Sequence, residues 1–440
     1  MEYLSIQGKY CKDCIIFTEN IEEEALQTLY DIVNHPAFSN SKIRVAPDVH
    51  AGRGIVIGFT TPLNDYVNPS HVGCDIGCSM TTMLFDTRLD PADYKEVEHK
   101  IRKDVPTGFD IHTKKVFNDK DFYKFMNTEM RKAKSAWPEM VDYSTVDEKY
   151  VDRLLKRVGM DPGTFYRSIA SVGGGNHFVE YGEYEGGSAW TVHCGSRNFG
   201  LKVFKYWDNI SKKAPYSKNE LRDLTNKFKE EYKKSHSDMR EFTAALDKYI
   251  DELNARHYTG YLSGDNMRGY ITDLFFAQAY AKFNHKMIAE RIYNIVRKFG
   301  LKTIVETIYT THNYINPIDH IIRKGAIASY EGEKMIIPFN MRDGLAICVG
   351  KSNDDWNCSA PHGAGRIMSR AKAKANVDLE EFKKSMEGIY STSIGVGTLD
   401  ESPMVYKNTD EILELIKPTC DVLFMIKPKI NIKAMEYCEE

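Results

Sequence analysis

Ser359-Ala360-Pro361-His362-Gly363-Ala364-Gly365-Arg366 is the stretch from which the chain is best read. A histidine stands between a proline and two glycines, with an arginine closing the run. Pro361 stiffens the approach. Gly363 and Gly365 bring no side chains, so a large ligand can reach the imidazole and the backbone N–H groups. Arg366 offers a planar fork for phosphate oxygens. This suits a histidine that attacks phosphorus, although Gly-rich loops with a His and an Arg also occur as plain turns.

Working outward, further segments pair glycine or asparagine with metal-type side chains. They are Pro47-Asp48-Val49-His50-Ala51-Gly52, Val72-Gly73-Cys74-Asp75-Ile76-Gly77-Cys78, Gly173-Gly174-Gly175-Asn176-His177-Phe178-Val179-Glu180, His193-Cys194-Gly195-Ser196-Arg197 and His312-Asn313-Tyr314. Asp75 and Cys78 place a carboxylate and a thiolate in one Gly-containing turn, which suits a divalent transition metal, and a thiolate can bridge two. His177, His193 and His312 each sit at a predicted strand end, so they can face a common rim. A lone histidine is more often a packed one. Five such residues together point to a site, and their chemistry admits zinc, manganese, iron or cobalt. Arg197, Asn176, Lys324 and Arg366 add phosphate-type donors. A binuclear cation site with cationic side chains and a free histidine reads as phosphoryl or nucleotidyl transfer.

The 440 residues carry 42% hydrophobic and 28% charged side chains, the balance of a globular protein. No apolar run is long enough to span a bilayer, and Met1-Glu2-Tyr3-Leu4 does not open a secretion leader. Nine cysteines, an odd number, then imply reduced thiols and a cytoplasmic protein. Cys11-Lys12-Asp13-Cys14 is a lone C-x-x-C, read as chance spacing. Net charge is −3, so any nucleic-acid contact rests on local patches such as Arg370–Lys374, Lys427–Lys429, Lys212-Lys213 and Arg323-Lys324.

Periodicity predicts helices over Ile21–Asn34, Lys218–His257, Ile271–Phe299 (closed by Gly300), Gly365–Lys374, 379–387 and 409–416. Short strands are expected at 43–60, 72–85, 167–172, 188–194, 303–311, 335–338, 344–350 and 422–426. Helices gather in a middle segment, about 205–300, and strands at both ends. This indicates an α+β fold, taken as one domain over 1–440. Gly344-Leu345-Ala346-Ile347-Cys348-Val349-Gly350-Lys351-Ser352 has one residue too many between its glycines for a P-loop and reads as a buried strand. No K-x-D-G run supplies a ligase-type lysine nucleophile.

Taken in order, the motifs resemble the RtcB family of RNA-splicing ligases. The matching runs are 47–50, 72–78, 175–178, 193–197, 312–314, Arg323-Lys324-Gly325-Ala326, 362–366, and Glu401–Asp410 with Tyr406-Lys407. The resemblance implies an RtcB-like fold and an RNA ligase that joins a 3′-phosphate or 2′,3′-cyclic phosphate end to a 5′-hydroxyl. It implies that His362 attacks GTP and carries GMP. Cys78 would bridge two Mn²⁺ ions whose coordination Asp75, His177, His193 and His312 complete. Asn176, Glu180, Arg197, Gly363, Ala364, Gly365, Arg366 and Lys433 would hold nucleotide and RNA phosphates. Partners would be tRNA or rRNA fragments, GTP and an activating protein, with no membrane.

The chain departs from the family's pattern at three places. Pro338-Phe339-Asn340-Met341-Arg342 stands where Pro-Gly-Ser-Met-Gly is usual, so large or charged groups replace small ones near the expected base site. His193-Cys194 replaces His-Ser, with Asn198-Phe199 just beyond. The tail runs past Lys433-Ala434. None of these removes a proposed ligand or the nucleophile, and a divergent repair-type ligase is expected. The rivals are a binuclear-metal phosphoesterase acting on RNA ends and a non-catalytic RNA-end-binding protein.

Overall fold

The computed structural model describes residues 3–213, 218–235, 240–255 and 258–434. Its centre is a seven-stranded antiparallel sheet. In spatial order the strands are Lys334–Asn340, Gly344–Gly350, Cys420–Ile432, Phe178–Tyr184, Gly187–Cys194, Ser79–Phe85 and Ile304–Thr311. The sheet curls until its first and last strands meet, and the Ile336 N–H donates to Thr310 Oγ1 at 3.2 Å. Met80, Leu84, Ala189, Ile308, Ile336, Leu345, Ile347 and Ile426 alternate along these strands and fill one apolar cluster. The opposite face packs Val179, Tyr181, Trp190 and Val192 against Ile288, Ile292 and Val296 of the long helix Gly264–Val296.

A second sheet of six strands runs Leu4–Ile6, Asp13–Ile16, Lys42–His50, Ile57–Pro62, Ile321–Lys324 and Asn313–Ile315. Cys11 and Cys14 are buried in its core with Val45 and Phe59. A two-stranded ribbon, Ala326–Ala328 with Ser359–Pro361, brings in the His362 loop. The helices Asp119–Ala136, Glu148–Val158 and Arg197–Ser211 pack on Gly264–Val296 through Phe122, Met126, Leu155, Phe199 and Phe276. Each such fully buried side chain contributes about 1.5–3 kcal/mol over leaving it in water.

The α+β reading holds, and several element boundaries differ. Residues 72–78 are a loop, not the start of a strand, because Gly73 and Gly77 take φ of 96° and 71°. Residues 167–172 form a turn around Ala170 at φ 65°, with a single bridge at Val172. The helix expected from Gly365 begins at Arg370, because Gly365 sits at φ 73° and Ser369 caps by accepting from the Lys372 N–H. Lys218–His257 is two helices, Lys218–Ser235 and Phe242–Ala255; its last two residues and 236–239 lie outside the described residues. The helices Tyr94–Asp104, Asp119–Ala136 and Glu148–Val158 were not expected, although Asn118, Asp147 and Gly159 carry ordinary capping signals. The final strand is longer than expected, Cys420–Ile432.

Candidate active site

Antiparallel register brings the distant motifs to one end of the seven-stranded sheet. Ser79 pairs with both Cys194 and Thr311, so Cys78 and His312 are neighbours, and the His312 N–H donates to the Cys78 carbonyl at 2.9 Å. Phe178 pairs with His193, which sets His177 beside it. Glu180 pairs with Asn431, which puts Lys433 on the same rim. Convergence is therefore a consequence of pairing strand beginnings with strand ends.

The side chains then crowd. Cys78 Sγ lies 3.3 Å from His177 Nε2 and 3.2 Å from His193 Nε2. His177 Nε2 is 2.9 Å from Asp75 Oδ2, and the Nε2 atoms of His193 and His312 are 3.2 Å apart. Cys78, His177 and His193 form a group that could hold a metal ion. His193 Nδ1 faces the Asn176 carbonyl at 3.1 Å, so it donates there and leaves the Nε2 lone pair facing the cluster. Burial, and then His177, push the pKa of His193 well below its ordinary value, and burial followed by His362 does the same to His312. Both rings are neutral at pH 7. Burial raises the Cys78 thiol, and Asp75 raises it further. The Nδ1 atoms of His177 and His312 are buried without partners. Gly173 and Gly195 admit this crowding: a Cβ on them would lie 2.1 Å from His177 Nδ1 and from Asp75 Oδ1 respectively.

His362 stands across from this cluster, its ring centroid 5.0 Å from that of His312. Its Nδ1 is 2.7 Å from Asp48 Oδ2, and its backbone N–H donates to the same oxygen at 3.1 Å. Asp48 is fully buried. The sequence offered Asp48 only as part of a motif; the cue was a carboxylate among the apolar Val45, Ala46, Pro47 and Val49 of the strand Lys42–His50. Gly365 permits the close approach, since a Cβ there would lie 2.1 Å from the Asp48 carbonyl oxygen.

A cavity of about 270 Å³ separates the two groups. Asp75, Cys78, Asn176, Glu180, His193, His312, His362, Gly363, Ala364, Gly365, Arg366 and Lys433 all line it. Arg197 does not: its guanidinium donates to Ser171 Oγ at 3.0 Å and the Gly108 carbonyl at 2.7 Å. Lys324 is also engaged elsewhere, holding the carbonyls of Arg53, Ile55 and Ser70. Phe339, Asn340 and Met341 line the cavity, whereas Arg342 turns away and pairs with Asp343 at 2.8 Å. The charged member of that departure thus leaves the cavity wall.

Three cations on this wall share one anion that the sequence did not single out. Glu401 lies 3.0 Å from Lys433 Nζ and 3.6 Å from Arg366, and also pairs with Arg370. Burial alone would raise the Glu401 pKa, but Lys433, Arg370 and Arg366 hold it down at about 2. Glu180 is the opposite case. Burial drives it up to about 8 against the pull of Asn431, which donates to it at 2.8 Å, and of Lys433.

The sequence matches known proteins along nearly its whole length. The sequence model of a family described as "tRNA-splicing ligase RtcB" matches residues 29–434. The chain is 26% identical over 433 residues to an RNA-splicing ligase RtcB of Escherichia coli K12, covering 94% of this chain and 95% of that one. It is 25% identical over 440 residues to a tRNA-splicing ligase RtcB of Aeropyrum pernix, covering 84% and 83%. It is 23% identical over 438 residues to an RNA-splicing ligase RtcB homolog of Entamoeba dispar, covering 88% and 79%.

Proposed function

We propose that this chain, which belongs to the RtcB family of RNA-splicing ligases, joins RNA 3′-phosphate or 2′,3′-cyclic phosphate ends to 5′-hydroxyl ends through GMP carried on His362. The observation that carries this reading is the 2.7 Å contact between His362 Nδ1 and Asp48 Oδ2. Nδ1–H donating to a buried carboxylate fixes the tautomer, so Nε2 keeps its lone pair and is the attacking atom. A phosphoesterase could use a histidine oriented this way as a general base but would form no covalent nucleotide on it, and a protein that only binds RNA ends has no use for the orientation.

In the first step the Nε2 lone pair attacks the α-phosphorus of GTP, the bond to the β-phosphate oxygen breaks, and pyrophosphate leaves. An oxygen of the RNA 3′-phosphate then attacks the histidine-bound phosphorus, and the P–N electron pair returns to Nε2. The 5′-hydroxyl attacks the activated RNA phosphorus and GMP departs. Arg366 and Lys433, which line the cavity, would meet phosphate oxygens, and Asn176 and Glu180, which also line it, would meet the nucleotide. The donor set also fits the metal expected for the family, since a thiol, a carboxylate and the Nε2 atoms of three imidazoles converge. Cys78, Asp75, His177, His193 and His312 would hold two Mn²⁺ ions, which would offset charge on the phosphate oxygens.

Incubation with α-³²P-labelled GTP and manganese tests the reading. Acid-labile, base-stable label on the protein, absent from His362→Ala, is the expected result. Label that persists in His362→Ala, or ligation by that variant, sinks it. Label from another nucleotide in place of GTP would mean that Phe339–Met341 has altered base choice.

A further inference from the structure

Among the described residues, the most exposed large hydrophobic side chain lies close to this site in the fold. Phe109 is 99% exposed and packs against nothing, yet the backbone that carries it is held on every side. Thr107 bridges Val172, and the Val172 N–H donates to the Pro106 carbonyl at 2.9 Å. Gly108, at φ 68°, accepts from Arg197 Nη2 at 2.7 Å. The Asp110 N–H returns to the Thr107 carbonyl at 3.2 Å, and His112 is fixed to the carbonyls of Arg167 and Ala170. A loop tied this firmly presents its side chain in one place. Phenylalanine in water forfeits the apolar contacts that would otherwise hold it, so a pinned and fully exposed ring is a surface waiting for a flat, apolar face.

Two tethers fix where that surface lies. A Cβ on Gly108 would be 3.1 Å from the Ala434 Cβ, and Ala434 follows Lys433, whose ammonium lines the cavity and reaches Glu401. Val172, on the other side, leads through the glycines into Asn176 and His177. The backbone that carries the ring therefore lies beside Ala434, next to the segment that sends Lys433 into the cavity. Lys103 and Lys114 are exposed on the same stretch and offer the charge that a phosphate backbone seeks, while Lys115 is paired with Asp119 and the exposed Asp110 adjoins the ring.

We propose that Phe109 is a stacking platform for a nucleobase near the RNA end being joined, gripping single-stranded RNA outside the cavity while the terminal phosphate lies within it. An aromatic ring beside cationic side chains is how single strands are held irrespective of base identity, since every base offers a π-face. The inference rests on the RNA-ligase reading given above.

The test uses the full chain and short 3′-phosphorylated RNA oligonucleotides in which each nucleotide in turn is abasic, with binding followed by fluorescence anisotropy. Phe109→Ala should weaken binding of the intact strand roughly 5- to 150-fold. One abasic position should cost the wild type the same factor and cost Phe109→Ala nothing more, the mark of a direct contact in a double-mutant cycle. Phe109→Trp should restore binding, with its emission quenched by RNA, and Phe109→Leu should not restore it. The thermal midpoint reports the fold of each variant. If the wild type takes label from GTP and binds RNA, but Phe109→Ala binds equally well or every abasic position costs both proteins alike, the platform alone is overturned. If Phe109→Ala alters only self-association, the ring belongs to a contact between copies of this chain, and the proposal also fails. If the wild type neither takes label nor binds RNA, the ligase reading fails and this inference with it.

Discussion

The two walls of the cavity are built on opposite principles. On one, Cys78, His177, His193 and His312 crowd their ligand atoms together and leave two ring nitrogens unpartnered. On the other, Lys433, Arg366 and Arg370 close around Glu401 and Asp400 with hydrogen bonds made. Cys78 Sγ and the Nε2 atoms of His177, His193 and His312 face one another, an arrangement that a shared cation would satisfy. The second wall is paired except at Arg366 Nη1, which is buried without a hydrogen-bond partner, so Lys433 and Arg370 reach phosphate only by loosening their hold on the carboxylates while Arg366 has a donor to offer. One wall waits for a cation and the other exchanges one anion for another.

Cys78→Ala is the sharpest way to break that contrast. It removes the sulfur on which the imidazoles converge. Manganese should then no longer raise the thermal midpoint, as ligand binding to the native state otherwise does, and guanylylation should fall below detection. Calorimetry with and without manganese checks the first outcome, and labelled GTP the second. Equal manganese stabilisation in the variant would place the ion elsewhere. Asp48→Asn comes next. It keeps the shape but leaves His362 Nδ1 facing an amide that can present either its oxygen or its NH₂, so the tautomer is no longer set. The guanylylation rate should fall about 10²- to 10⁴-fold with the fold intact, by analogy with other carboxylate-oriented histidines. A rate within a factor of three of the parent would show that the contact does not orient the nucleophile.

The crowded wall was legible in the sequence; of the paired wall the cations Arg366 and Lys433 were expected and the anion between them was not. Asp75, Cys78, His177, His193 and His312 each sit in a short run marked by glycine or asparagine, so each announces itself locally. Glu401 has no such mark. Its importance comes from Lys433, Arg366 and Arg370, which approach it from separate segments, and nothing near residue 401 reports that. Asp48 lies between these cases, because a carboxylate in a buried strand is a local signal whose partner is not. Periodicity failed in the same way at 72–78, where Val72 and Ile76 suggested a strand and positive φ at two glycines overrode them. Arg197 belonged to the right motif, but its guanidinium is consumed by Ser171 and Gly108.

Glu401→Gln removes the anion that the cations of the paired wall share. Lys433 and Glu401 are each 3% exposed in their side chains, so removing the anion strands a buried ammonium. The loss should be about 3–5 kcal/mol of stability, read by urea denaturation. Retained stability would mean that Asn176 and water suffice to hold Lys433.

The smallest expected effect follows from the two glutamates taken together. The Glu180 pKa rises from its ordinary 4.5 to about 8, while that of Glu401 falls from 4.5 to about 2. A carboxyl whose pKa is raised by folding favours the native state while both states are protonated, below about 4.5, and that advantage is lost as pH climbs toward 8. A depressed carboxyl does the reverse: its contribution is present above 4.5 and is lost as pH falls toward 2. Glu180→Gln, which is neutral at every pH and keeps an oxygen for the Asn431 amide, should therefore melt close to the parent at pH 5 and progressively above it by pH 8. Thermal melts across that range measure the gap. A gap of constant size would show that Glu180 is ionised throughout, held by Lys433 more strongly than burial opposes. The contrast between the walls would then extend to this side of the cavity, with Lys433 balancing two carboxylates instead of one.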